Sequence, residues 1–90
     1  MDPQLHRLDE LAKAIIQRKP GALRAASVLS TGEQLYVYLA ANREDKLRAR
    51  GDTVAQALAR IGPYWVEQLI ERWQYDGFPD AHYYGVEFGD

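Results

Sequence analysis

Two histidines are the residues of this chain best suited by type to hold a metal ion or move a proton. His6 is followed by Asp9 and Glu10 at i+3 and i+4, so a helix carries one imidazole and two carboxylates on neighbouring positions. Metal centres usually take three or four ligands, and one histidine beside two common surface acids falls short of that. A solvent-facing histidine is the simpler reading. His82 lies in Asp80-Ala81-His82, upstream of Glu87 and Asp90. Oxygen-rich tails can hold hard cations, but the Asp-x-Asp-x-Asp-Gly loop of a calcium site is absent. The chain has no cysteine, which excludes thiolate ligands and thiol nucleophiles. Ser27 and Ser30 stand in no Gly-x-Ser-x-Gly elbow, and neither common glycine-rich phosphate loop is present. No carboxylate pair sits in an apolar stretch that would split two pKa values. The expectation is therefore a protein without enzymatic activity, cofactor or metal. A small metal-binding protein or enzyme built on His6 or His82 is the weakest functional reading.

Charge offers more. Residues 1–75 hold all 11 basic residues and nine of the 13 acidic ones, a balance of +2. Residues 76–90 hold Asp76, Asp80, Glu87 and Asp90 with no Lys or Arg, a balance of −4. Arg43, Lys46, Arg48 and Arg50 cluster within eight residues and form a candidate basic patch. Such a patch could meet nucleic-acid phosphates, and binding of that kind weakens steeply with salt. The helix–Gly–helix order of residues 53–73 also has the outline of a helix-turn-helix. Its second helix, however, carries Glu67 and Glu71 against a lone Arg72, so it would repel phosphate where it must approach. A pI of about 5.6 points the same way. A nucleic-acid-associated regulator using residues 43–50 is the alternative, and nucleic acid is not the expected partner.

Protein is. Six of the ten aromatics (Trp73, Tyr75, Phe78, Tyr83, Tyr84 and Phe88) fall in the last eighteen residues. Aromatic side chains bury much area at low entropy cost, and interfaces favour them. The candidate partner-binding residues are Tyr75, Phe78, Tyr83, Tyr84 and Phe88, with Asp76, Asp80 and Glu87 tuning specificity and association rate. The leading expectation is a non-catalytic interaction or regulatory module that self-associates as a homodimer or other homo-oligomer.

The elements that must position these groups follow from length and pattern. Ninety residues with 47% hydrophobic and 27% charged content make one globular domain with a modest core. Without a secretory pattern or a membrane-spanning apolar run, the expectation is a soluble, cytoplasmic protein. Asp2-Pro3 starts a helix in which Leu5, Leu8, Leu11, Ala12, Ile15 and Ile16 recur at helical spacing. Pro20-Gly21 ends it, with Arg18 and Lys19 suited to the negative end of the helix dipole. Residues 22–29 read as a short Ala-rich helix with Arg24 outward.

The segment 30-STGEQLYVYLAANRED-45 is ambiguous. Leu35-Tyr36-Val37-Tyr38-Leu39 suits a strand by composition. Ser30 and Glu33 nevertheless stand at capping-box spacing, and Leu35, Tyr38, Leu39 and Asn42 share a helical stripe. Residues 43–51 read as a connection with Leu47 inward. Thr53 and Gln56 repeat the capping box, Gly62-Pro63 divides two helices, and Trp65, Leu69 and Trp73 line one face of the last, which runs to about Tyr75. The fold expected is an all-α bundle of four or five short helices over residues 1–76, with an aromatic, acidic tail over 77–90 docked on the domain or on a partner. The alternative is an α+β fold pairing residues 34–39 with 82–88 in a two-stranded sheet.

Overall fold

The computed structural model describes residues 2–74, and all regular structure among them is helical. Five helices follow one another: α1 (Pro3–Ile16), α2 (Ala22–Ser27), α3 (Thr31–Ala40), α4 (Glu44–Ala49) and α5 (Val54–Trp73). The all-α expectation holds. The two-stranded alternative fails on its first strand, since residues 34–39 lie within α3. Residues 82–88 lie outside the described residues.

Helix α3 is the centre of the bundle, with α1, α2, α4 and α5 all packed on it. Five consecutive residues, Gln34 to Tyr38, are buried, as are Ala40 and Ala41. A helix enclosed on every side has no need of an amphipathic stripe, which explains its strand-like composition. Its start is fixed by Glu33, whose Oε1 accepts from the Ser30 backbone N–H at 3.2 Å and from the Ser30 hydroxyl at 2.7 Å. The other Glu33 oxygen accepts from the Gln4 side chain at 2.9 Å, tying the start of α1 to the start of α3. These hydrogen bonds, Gln4 first, hold the Glu33 carboxyl below the usual carboxylate range.

Helix α1 begins as its residues require, with Asp2 accepting from the Gln4 N–H at 2.9 Å and Pro3 in the first turn. It buries Leu5, Leu8, Ala12 and Ile15 against α3 and α2. Residues 43–51, read from sequence as a connection, contain the short helix α4. Its Glu44 and Asp45 stand in the first turn and Lys46 and Arg48 in the last, the arrangement the helix dipole favours. Leu47 is buried, as its place in that polar segment predicts. In α5, Gly62 breaks the helical backbone with φ 87° and ψ 163°, a conformation open essentially to glycine alone. Pro63 then restarts the helix, so the boundary expected at Gly62-Pro63 is a kink between two halves. Trp65, Leu69 and Trp73 pack on the core from the second half. The helix ends at Trp73, capped by Gln74.

Candidate functional site

Of the residues with chemical promise in the sequence, Asp9 is committed to holding the bundle together. Asp9 is buried, not solvent-facing. Its Oδ1 accepts from the Tyr36 hydroxyl at 2.7 Å and from the Trp73 indole N–H at 2.8 Å, while Oδ2 accepts from the Arg72 guanidinium. One carboxylate thus joins α1, α3 and the end of α5. A buried charge is tolerable when it is paired and hydrogen-bonded in this way. The Asp9 carboxylate raises the Arg72 guanidinium above its ordinary value. Burial, with the Asp9 carboxylate second, pushes the Tyr36 hydroxyl well above the ordinary tyrosine range. His6, Glu10, Lys13 and Glu71 make no bond within this node but share a small cleft with Asp9, Arg72 and Trp73. Among the described residues no group of three or more His, Cys, Asp or Glu is placed to hold a metal ion.

The Tyr36 shift has a definite pH signature. Tyr36 stays protonated in the folded chain at a pH where the unfolded chain ionises it. Its contribution to stability is whole below about pH 10, the ordinary tyrosine value, and is lost as pH rises beyond that. In urea melts from pH 9 to 12, the stability advantage of wild type over Tyr36→Phe is expected to shrink steadily above about pH 10. An advantage independent of pH over that range would show that the hydroxyl titrates alike in both states.

The candidate basic patch is largely spent inside the molecule. Arg43 forks onto Asp45, with Nε and Nη2 each 2.9 Å from a carboxylate oxygen. This holds the Asp45 carboxyl down at about 2. Arg48 pairs with Glu44 at 3.5 Å. Arg50 donates to the Gln34 side chain and lies 3.5 Å from Asp52, while Arg60 pairs with the same buried Asp52 at 3.0 Å. Only Lys46 of the four has no ion pair among the described residues. The candidate partner-binding residues Tyr75, Asp76, Phe78, Asp80, Tyr83, Tyr84, Glu87 and Phe88, and His82, lie outside the described residues.

A different cationic surface emerges where α1 and α3 end. Both helices close with the same hydrogen-bond pattern. In α1 the N–H groups of Arg18 and Lys19 reach the Ile15 and Ala14 carbonyls at 3.0 and 2.9 Å. In α3 those of Asn42 and Arg43 reach Leu39 and Tyr38 at 3.1 and 2.8 Å. These are Schellman closures, whose first residue beyond the cap takes a left-handed conformation and is usually glycine. Here it is Arg18 at φ 58° and Asn42 at φ 56°. Asparagine tolerates that region, whereas an arginine there costs roughly 1 kcal/mol.

Between the two helix ends and α2 runs an open groove of about 760 Å³. Arg18, Lys19, Arg24 and Arg43 line it, and Ile15, Ile16, Leu23 and Ala41 supply apolar surface between them. Among the described residues no carboxylate lines it, and Arg18, Lys19 and Arg24 have no ion pair. The buried Gln34 side chain holds α2 in place as one wall, donating to the Ala26 carbonyl at 2.9 Å. Cations do suit helix C-termini, by up to about 1 kcal/mol at the surface. That accounts for positive charge near these ends, but not for an apolar trough between the charges. The pattern expected Arg18 and Lys19 only as dipole partners and Arg24 as a solvated residue. A signal was available: from Leu11 to Gly32 the chain has four basic residues and no acidic one. No family model, curated protein or solved structure matches the chain.

Proposed function

We propose that the protein is a non-catalytic interaction module whose groove at the ends of α1 and α3 takes an acidic, apolar peptide segment. The observation that carries this reading is the rim of Arg18, Lys19 and Arg24, without ion pairs among the described residues, around an apolar floor. Carboxylates of a bound segment would meet Arg18, Lys19 and Arg24, and its aromatic or aliphatic side chains would cover Ile15, Ile16 and Leu23. Arginine forks suit carboxylates in geometry as well as charge. A nucleic-acid backbone would use the same charges but leave the apolar floor uncovered, so peptide is the better fit.

The test uses fluorescent peptides of about fifteen residues, one set alternating Glu with Phe or Leu and a matched set with Lys for Glu. The full chain is expected to bind the acidic set alone, at least tenfold more weakly once Arg18 and Arg24 are both replaced by Glu. Equal binding of the two sets, or affinity indifferent to Arg18→Glu and Arg24→Glu, would remove the reading.

Self-association is a second reading, and a separate surface favours it. On the outer half of α5, Tyr64 and Ile70 are each 57% exposed, and Val66 beside Ile70 is only half-buried. Light scattering on the full chain checks it: a dimer that Ile70→Glu converts to monomer is the expected result, and a monomer at all concentrations removes the reading.

A further inference from the structure

We infer that the groove between the ends of α1 and α3 is a binding site for residues 76–90 of the same chain, which occupy it in cis. The inference rests on the reading of that groove as a peptide site and names its resident ligand. The chemistry matches on both counts. The segment supplies Asp76, Asp80, Glu87 and Asp90 with no basic residue, and Phe78, Tyr83, Tyr84 and Phe88 among them. The groove supplies Arg18, Lys19 and Arg24 without ion pairs among the described residues, around Ile15, Ile16 and Leu23. Acids and aromatics alternate along the segment, as charged rim and apolar floor alternate across the groove.

Reach is also satisfied. The Trp73 indole bonds to Asp9, so α5 ends beside the middle of α1. Ile15 lies six residues further along the same helix, roughly 9 Å at 1.5 Å per residue. Sixteen residues follow Gln74, enough to span roughly 50 Å when extended. The described residues extend over 40 Å at most. A segment tethered this closely has an effective concentration on the order of 1 mM. Against a dissociation constant of about 0.1 mM, that would mask the groove roughly tenfold from a peptide in solution. A second copy of the chain at micromolar concentration competes poorly with such a tether. Exchange between the tethered segment and an outside acidic segment would then govern access to the groove.

The absence of cysteine makes the test direct. Ala81→Cys in the full chain carries a nitroxide label, and amide signals of the ¹⁵N-labelled protein are read with the label oxidised and reduced. Strong broadening is expected at residues 15–24 and 41–43. It should be relieved by 0.5 M salt and by the milder pair Arg18→Gln and Arg24→Gln. Broadening confined to the end of α5, or unmoved by salt and by these substitutions, would overturn the inference. So would broadening of the same strength on mixing spin-labelled ¹⁴N chains with unlabelled ¹⁵N chains, which would make the occupant a second copy. In parallel, replacing Asp76, Asp80 and Asp90 by Asn and Glu87 by Gln is expected to raise affinity for the acidic peptides about tenfold. Unchanged tight peptide binding would defeat occupancy in cis while leaving the peptide site standing. Loss of both the broadening and the peptide binding would defeat the two together.

Discussion

Asp9→Ala is expected to cost about 3–5 kcal/mol, the largest loss of any single polar substitution in the described chain. Asp9 is 8% exposed and its Arg72 partner is mostly enclosed, so removing the carboxylate leaves a cation in a poorly hydrated place. Breaking one side of a buried ion pair typically has that magnitude. The Tyr36 hydroxyl and the Trp73 indole N–H lose their acceptor in the same step. A chain of this length has a total stability of roughly 5–13 kcal/mol, so the variant would stand near the edge of folding. At about 4–8 °C per kcal/mol, the melting temperature should fall by well over 10 °C. A partner substitution separates charge from packing. If the stranded cation is the main penalty, Asp9→Ala with Arg72→Met should be more stable than the two single losses added together. Additive losses within about 0.5 kcal/mol would show that Arg72 reaches solvent when Asp9 is gone. A loss under about 1 kcal/mol for Asp9→Ala alone would refute the role of the node altogether.

Why that node was hidden in the sequence has a physical answer. Asp9 sits between His6 and Glu10 on a helix whose exposed face is rich in charge, and carboxylates are almost never fully buried unless paired. Its partners arrive from 27 and more than 60 residues away, and spacing along one helix cannot announce such partners. The start of α1, the kink at Gly62 and the inward stripe of the last helix were legible because each depends on local rules. An N-cap acid before proline, a positive φ at glycine and a helical period are written in neighbouring residues. Residues 44–49 were missed as a helix because six polar-rich residues show little period, and α4 is held by Leu47 and by its position against α3 and α5. The cationic groove was half legible. Arg18, Lys19 and Arg24 lie within seven residues, but only the closure of α3 brings Arg43 and Ala41 to face them. Helix dipoles explain cations at helix ends so readily that the apolar floor between them had to be seen.

The stretch most ambiguous in sequence also carries the second large effect. Tyr36→Ala is expected to destabilise the bundle by about 3–5 kcal/mol, and Tyr36→Phe by only about 1–1.5 kcal/mol. The difference follows from what each substitution removes. Tyr36 is fully enclosed, and its ring meets the Trp65 ring edge-on with centroids 5.6 Å apart and planes at 74°. Alanine deletes the ring, opens a cavity at the crossing of α3 and α5, and unseats Trp65 from the partner that fixes its orientation. Phenylalanine keeps the ring and removes one of three donors to Asp9, leaving the carboxylate with Arg72 and Trp73. Urea denaturation measures both losses, and near-UV circular dichroism should report Trp65 losing its asymmetric surroundings in the alanine variant alone. The opposite order, with phenylalanine as damaging as alanine, would mean that the hydroxyl bond to Asp9 outweighs the packing of α5 on α3. A residue whose type suggested a strand would then serve chiefly as a hydrogen-bond donor. The geometry argues instead for a ring that sets where α5 lies and, through Arg72 and Trp73, how the end of α5 is fixed to α1.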